Sequence, residues 1–217
     1  MSNADSGSEL VATKDAESPP ASQVERRTSA LSFKPFRIYF GGTVLAMNAL
    51  RLGAVAQGLL MWELTGSPLR LGGVAAATAI PMMLVNIFGG VFADRYEAKF
   101  LLGGSAFIGA LLFVLLGVLD FTNTVQPWHI FSIAIFAGFV SGADQPSRQA
   151  YFPSLVPKSA MKSAVTINGS LMASASVVAP TVGGLLMAEF GTPFGFFIAA
   201  LGWFAMFTAT VVLPRRG

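Results

Sequence analysis

Residues 100–119 read FLLGGSAFIGALLFVLLGVL, a stretch without a single charged residue. A helix needs about 20 mostly apolar residues to cross the hydrocarbon core of a bilayer, and this stretch is long enough. Its apolar residues do not alternate with polar ones, as the strands of a membrane β-barrel would. The stretch therefore predicts a transmembrane α-helix, and an all-α membrane protein becomes the first hypothesis for the chain.

The composition of the whole chain favours the same class. Only 12% of the 217 residues are charged, 53% are hydrophobic, and the mean hydropathy is +0.64. Soluble domains carry about 25% charged residues, so this chain has too few polar groups to cover a surface that faces water. A disordered chain needs low hydrophobicity and high net charge, which this sequence lacks.

The chain contains no cysteine and one histidine. The lack of cysteine excludes disulfides, iron–sulfur clusters, cysteine nucleophiles and cysteine zinc sites. One histidine leaves little for metal binding or general-base chemistry. We therefore expect no catalytic residues, no metal site, no cofactor and no enzyme activity. The net charge of +3 requires no nucleic-acid partner, because the membrane arrangement described next explains the basic residues.

Six segments have the length and polarity of a membrane-spanning helix, and the residues before them do not. Residues 1–33 are polar, which predicts a disordered cytoplasmic tail and is unlike the apolar core of a signal peptide. The six spans form one domain over 34–217. They are predicted, each with about 2–4 residues of boundary error, at about 37–62, 70–93, 100–119, 128–146, 164–189 and 193–213.

Basic residues fall mainly on one side of this six-helix arrangement. Twelve of the 14 lie in the tail, in the loops after the second and fourth spans, or at the C-terminal end. Arg148 is counted among them, because the predicted loop over 147–163 contains it. Cytoplasmic loops carry an excess of Lys and Arg, so both termini are assigned to the cytoplasm. Arg70 lies on the opposite side, and Arg51 lies inside the first span.

Arg51 is the sharpest candidate for contact with a transported molecule. It lies about 14 residues, or roughly 21 Å, into the first span, too deep for easy access to the cytoplasm. Charges inside the membrane usually face a cavity, and Asn48, three residues earlier, lies on the same helical face. We interpret the two as a polar stripe along a substrate pathway. The alternative is a structural role, in which Arg51 pairs with a carbonyl group or reaches the outer surface.

The loop after the second span reads GVFADRYEAK over 90–99. Gly90 allows close helix packing, and Asp94 needs a basic partner because it opposes the dipole at a helix C-terminus. A short interfacial loop would explain these features without further function. The pattern Gly-x-x-x-Asp-Arg between the second and third spans resembles the cytoplasmic loop signature of the major facilitator superfamily, which continues with a glycine and two basic residues. Of those three only Lys99 is kept; the resemblance implies that Asp94 and Arg95 belong to a gate.

The fourth span ends in GADQPSRQA over 142–150 and leads to Leu-Val-Pro at 155–157. This run is similar to bacterial exporters of the superfamily related to the enterobactin exporter. Asp144 and Arg148 are four residues apart and would pair if the segment is helical, although Pro146 interrupts it. The resemblance implies that they are gating partners of the charged loop, and an ordinary helix end with an ion pair is the alternative.

The fifth span contains APTVGG over 179–184. Pro180 removes a backbone donor and bends a helix, while Gly183 and Gly184 let another helix approach closely. Such a kink is usually a packing feature. The stretch also resembles the Gly-Pro-x-x-Gly-Gly antiporter signature of the superfamily, with Ala179 in place of the first glycine. That resemblance implies export by exchange rather than uptake.

Together these signatures resemble the N-terminal half of a major facilitator superfamily transporter, with six transmembrane helices arranged as two inverted three-helix repeats. The resemblance implies secondary active export of a drug, siderophore or similar small molecule by alternating access, coupled to protons, across a bacterial inner membrane. The implied partners are the lipid bilayer, the substrate, protons and a second six-helix half.

The source of that second half stays open in the sequence. It is either a missing C-terminal domain or another copy of the chain, which would then act as a homodimeric half-transporter. An inactive fragment is a third possibility. An intramembrane protease or an aquaporin-like channel is disfavoured, because the sequence shows neither a Gly-x-Ser-x-Gly-like serine motif nor paired Asn-Pro-Ala segments.

Overall fold

The computed structural model describes residues 29–95 and 97–213, and gives only the backbone of 88–95. Within these ranges the chain is helical throughout and contains no strand, which confirms the all-α prediction. Short 3₁₀ helices at Phe152–Leu155 and Lys158–Ala160 connect the fourth and fifth long helices. The long helices are α1 (Lys34–Thr65), α2 (Pro68–Arg95), α3 (Ala98–Phe121), α4 (Pro127–Tyr151), α5 (Met161–Phe190) and α6 (Thr192–Val212).

Proline and glycine mark the ends of several helices. Pro127 and Pro193 stand in the first turns of α4 and α6, where a missing backbone N–H is harmless. Gly66 ends α1 in the left-handed conformation, with φ of 56°, and its N–H donates to the carbonyl of Trp62. Gly191, with φ of 82°, makes the sharp turn between α5 and α6.

Five of the described helical segments are long and apolar enough to cross a membrane. They are α1, α2 over Pro68–Ile87, α3, α5 together with the turn before it, and α6. Helix α4 is long enough, but Asp144 and other polar residues along it lower its hydropathy. The chain is thus an integral membrane protein with several spanning helices.

Helix α4 extends further than the sequence predicts. The predicted fourth span ends at residue 146, whereas the helix continues through Pro146 to Tyr151. The Ser147 hydroxyl donates to the Ala143 carbonyl at 2.7 Å, next to the Gly142 carbonyl that Pro146 leaves without its helical N–H partner. The prediction that placed Arg148 in a cytoplasmic loop is therefore wrong, because Arg148 lies in the helix and is buried.

Helices α1 and α6, α2 and α4, and α3 and α6 form the most extensive helix–helix interfaces. Glycine makes two of these approaches possible. A Cβ atom on Gly138 of α4 would lie 2.4 Å from the Thr78 carbonyl oxygen of α2. One on Gly202 of α6 would lie 2.6 Å from the Leu45 carbonyl oxygen of α1. Small residues let backbones approach where no hydrophobic effect drives helices together.

Polar contacts connect α3 and α6 at both ends. At one end the Thr192 hydroxyl donates to Asp120 Oδ2 at 2.6 Å. At the other, Lys99 Nζ donates to the carbonyl of Leu213. These contacts fix the register of two helices whose facing surfaces are otherwise mainly apolar.

Helices α2 and α5 are the least covered. Only 11% of the apolar span of α2 and 28% of that of α5 are buried, against 44–50% for α1, α3 and α6. These two helices therefore expose broad apolar faces, which include Ile87 on α2 (72% exposed) and Val177 on α5 (68% exposed).

Candidate functional site

Helix α4 carries a buried ion pair. Asp144 and Arg148 are 4% and 5% exposed, and Arg148 Nε donates to Asp144 Oδ2 at 2.5 Å. The spacing of one helical turn places the two groups on the same face of the helix. A buried charge is very unfavourable unless a partner and hydrogen bonds compensate it, so this pair needs its surroundings to be polar.

Three other helices supply those surroundings. From α3, the Ser105 hydroxyl donates to Asp144 Oδ1 at 3.1 Å. Arg148 Nη1 donates to Thr43 Oγ1 of α1 at 3.2 Å and contacts Met206 Sδ of α6 at 3.6 Å. We call these five residues the charged cluster. It joins four helices, because the Arg148 guanidinium contacts α1 and α6 and the Asp144 carboxylate contacts α3.

One terminal nitrogen of that guanidinium makes no hydrogen bond within the described part of the chain. Arg148 Nη2 is buried and has no hydrogen-bond partner among the described residues. The Tyr39 hydroxyl is close enough to interact with the guanidinium electrostatically. The hydrogen bonds with acceptable geometry are those of Nε to Asp144 and of Nη1 to Thr43. A buried charged donor without an acceptor is uncommon and calls for an explanation.

A cavity of about 250 Å³ between α1, α4 and α5 contains the Arg148 side chain in its lining. Phe152 and Met172 provide apolar walls. None of the residues that line it is acidic. The polar lining consists of Tyr39, Thr43, Gln145, Arg148, Gln149 and Asn168. We refer to this space as the arginine cavity.

Arg51 and Asn48, the residues predicted to form one polar stripe, are placed differently. Arg51 is exposed on the outside of α1. The Asn48 amide donates to the Val44 carbonyl of its own helix at 2.7 Å. Asn48 also lines an apolar cleft of about 290 Å³ between α1, α5 and α6, and Arg51 does not. Neither this cleft nor the arginine cavity is lined by both side chains.

The antiporter-like stretch lies in α5, which continues through Pro180. Gly183 faces α1, where an added Cβ atom would lie 2.2 Å from Leu52 Cδ1. An added Cβ on Gly184 would meet no described atom within 4 Å. Packing of α5 against α1 therefore accounts for Gly183, and nothing in the described part of the chain accounts for Gly184.

The charged loop signature is only partly visible. The backbone of α2 reaches Arg95, but the surroundings of Gly90 and the side chains of Asp94 and Arg95 lie outside the described part of the structure. No group of three or more His, Asp or Glu residues able to hold a metal ion occurs in the part of the chain that the structure describes.

Sequence reasoning missed Tyr39, Thr43 and Ser105. Tyr39 and Thr43 are one turn apart on α1, and Ser105 interrupts the apolar run that begins α3. Polar residues spaced by one turn in a predicted span indicate contacts inside a helix bundle. That signal is present in the sequence but does not tell which helix supplies the partner.

Known proteins resemble the chain over nearly all of its described length. A family described as transmembrane secretion effector matches residues 27–216. The enterobactin exporter EntS of Salmonella choleraesuis (strain SC-B67) is 28% identical over 183 residues, which cover 83% of this chain and 44% of the exporter. The staphyloferrin A transporter of Staphylococcus aureus (strain NCTC 8325 / PS 47) is 24% identical over 169 residues, 77% of this chain and 43% of the transporter.

These relatives are transporters rather than enzymes, and the chain spans less than half of their length. No solved structure matches the chain. The family match covers residues 27–216, which is most of the sequence. The chain belongs to the transmembrane secretion effector family of the major facilitator superfamily.

Proposed function

We propose that the chain is the N-terminal half of a secondary active exporter of small molecules of the siderophore type. The uncovered faces of α2 and α5 carry this proposal, together with relatives more than twice as long as the match. A second six-helix half covering these faces would create an enclosed path between the two halves, as alternating access requires. The expected coupling is inward movement of protons in exchange for the substrate.

The helix contacts support the inverted-repeat arrangement. If α1–α3 correspond to α4–α6, the interface of α2 with α4 corresponds to that of α5 with α1. The interface of α1 with α6 likewise corresponds to that of α4 with α3. Each of these pairs is in contact in the structure, and α3 packs on α6, its own counterpart. All six helices, including α4, would then cross the membrane.

We further propose that the membrane is the bacterial inner membrane and that both termini face the cytoplasm. The chain has no cysteine, so single thiols can report the orientation. Thr124→Cys lies in the exposed connection before α4, and Ser159→Cys in the exposed connection before α5. A maleimide that cannot cross membranes should label Thr124→Cys in intact cells, and Ser159→Cys only after permeabilisation. The reverse pattern would invert the orientation.

The charged cluster is the proposed counterpart of the loop that contains Asp94 and Arg95. In this proposal the loop and the cluster are close in one state of the transporter and separate in the other. The antiporter-like stretch, with Pro180, Gly183 and Gly184, would shape α5 for that movement. The exposed apolar surface beside Gly184 leaves room for another helix to approach.

We also propose that Arg51 and Asn48 contact the substrate. Because Arg51 is exposed in the six-helix unit, this proposal requires the second half to enclose it. Arg51→Ala should lower efflux at least about tenfold, because a charged hydrogen bond to the substrate would be lost. Efflux is measured against Arg70→Ala, which removes an exposed arginine at the outer end of α2. Equal efflux from Arg51→Ala and the unaltered chain would remove Arg51 from the pathway.

The function is tested in cells that lack their own siderophore exporter. The chain is expressed alone, together with the C-terminal half of the Salmonella enterobactin exporter, and as an in-frame fusion with that half. We expect siderophore to appear in the medium only when a second half is present, and the export to stop when a protonophore collapses the proton gradient. No export with either form of second half would overturn the exporter assignment.

Export by the chain alone would favour the homodimer. In that case Ile87→Cys or Val177→Cys, on the uncovered faces, should form a disulfide between two copies in the membrane. Leu201→Cys on α6 is a matched control, because Leu201 is 67% exposed but lies on a helix that has 50% of its apolar span buried, against 11% for α2 and 28% for α5. Disulfide formation at Leu201→Cys alone would place the contact on another face.

A further inference from the structure

The arginine cavity contains a donor that the fold itself does not use. Arg148 is only 5% exposed, and its Nη2 has no hydrogen-bond partner among the described residues. The remaining edge of the same guanidinium is fully engaged by Asp144, Thr43 and Met206. A protein that only needed a structural ion pair would gain by satisfying or exposing this group.

The lining of the cavity fits an anionic ligand. Its polar side chains besides Arg148 are hydroxyls and amides, which can all turn a donor toward a ligand. Asp144, the one acidic residue of the charged cluster, pairs with Nε and is not a lining residue. Amides and hydroxyls can bind a positive or a negative ligand group, so the positive charge of the guanidinium determines that a negative group is favoured. Arginine is well suited to planar oxyanions because of its fixed arrangement of donors.

We propose that the arginine cavity is a binding site for the carboxylate group of a small molecule. Nη2 of Arg148 would donate to one carboxylate oxygen, and the amides of Gln149 and Asn168 would donate to the other. A volume of about 250 Å³ is below the range of about 300–1,000 Å³ that encloses a drug-sized ligand. The cavity thus accepts a small carboxylate, or one carboxylate arm of a larger molecule.

Three helices build this site, and each supplies a different part. Helix α1 brings Tyr39 and Thr43, α4 brings Arg148 and Gln149, and α5 brings Asn168. Because Arg148 also holds the charged cluster, ligand binding on Nη2 would act on the same side chain that connects α1, α4 and α6. For the exporter proposed above, the site would select substrates that carry a carboxylate; that extension rests on the proposed function, whereas ligand binding does not.

The site is tested on the purified full chain in nanodiscs of zwitterionic lipid, with radiolabelled citrate as the probe. We expect saturable binding of one citrate per chain, with displacement by acetate at higher concentration. Asn168→Leu removes one donor and fills the cavity, and should weaken binding at least about tenfold. Thr166→Leu is the matched control, since Thr166 is exposed two residues away on α5 and does not line the cavity.

Arg148→Lys provides a second variant. Lysine keeps a positive charge beside Asp144 but lacks the second terminal nitrogen of the guanidinium. Binding should again fall about tenfold or more, while the chain remains monodisperse. If Arg148→Lys fails to fold, Asn168→Leu decides the question alone.

Three results would overturn the proposal. The first is that citrate does not bind the unaltered chain. The second is that Asn168→Leu binds citrate as well as Thr166→Leu does. The third is displacement of citrate when phosphatidylglycerol replaces part of the zwitterionic lipid, which would assign the site to a lipid phosphate instead. All three readouts are independent of transport, so they remain informative if the exporter assignment fails.

Discussion

Asp144→Ala should destabilise the chain by about 3–5 kcal/mol, the range expected when one partner of a buried ion pair is removed. Arg148 would keep its charge inside the bundle, with the neutral Tyr39 and Thr43 hydroxyls and the Met206 sulfur beside it. The Ser105 hydroxyl would lose its acceptor on Asp144 as well. The measurement is the free energy of unfolding in a denaturing-detergent titration, or the temperature at which the purified chain loses its monodisperse state.

The double variant Asp144→Leu/Arg148→Met separates charge from packing. Replacing a buried pair by apolar residues of similar volume is often neutral or stabilising, so this variant should be much more stable than Asp144→Ala. Glu189→Ala is the control for loss of a carboxylate, because Glu189 is exposed at the end of α5. Its stability should stay within about 0.5 kcal/mol of the unaltered chain. Equal losses for Asp144→Ala and Glu189→Ala would contradict a buried pair.

Gly138→Ala should destabilise the chain by about 1–3 kcal/mol or more, since it forces a methyl group into a closed interface. The new Cβ atom would lie 2.4 Å from the Thr78 carbonyl oxygen, and a backbone atom in a helix cannot rotate away. Helices α2 and α4 would have to separate along one of the most extensive interfaces in the structure. The measurement is again the free energy of unfolding.

Gly104→Ala is the matched control for this substitution. It makes the same chemical change in the middle of a helix, but an added Cβ atom there meets nothing within 4 Å. Alanine is favoured over glycine in a helix by about 1 kcal/mol, so Gly104→Ala should be neutral or slightly stabilising. Because helix propensity favours alanine at both positions, an equal loss of stability in the two variants would show that the α2–α4 contact is not its cause.

The sequence predicts the helices well because their signal is local. Residues 100–119 lie inside α3, and each of the other predicted spans lies mostly inside one observed helix. Long apolar runs leave a chain in a bilayer few alternatives to a helix, since every backbone group must be hydrogen-bonded internally. The largest difference is the end of α4. Pro146 suggested a stop, but the helix continues into the bundle because neighbouring helices surround it.

The candidate site could be predicted only in part. The spacing of Asp144 and Arg148 indicates a pair, and that pair is present in the structure. The same sequence gave no reason to bury Arg148, since arginine near a span end normally marks the cytoplasmic face. Asn48 and Arg51 show the converse case. Their spacing suggested a shared cavity, but only Asn48 lines the cleft between α1, α5 and α6, whereas Arg51, three residues further along α1, is exposed.

By itself the sequence determined that this protein is an all-helical membrane protein, because apolar length and the need to satisfy backbone hydrogen bonds act within each segment. Only the tertiary structure decided which polar groups meet. Thr43, Ser105 and Met206 lie on three different helices, far apart in the chain, and contact the Asp144–Arg148 pair only after the helices pack. Whether a charge marks the surface or binds a ligand depends on that packing, because burial sets the free energy of an unpaired donor.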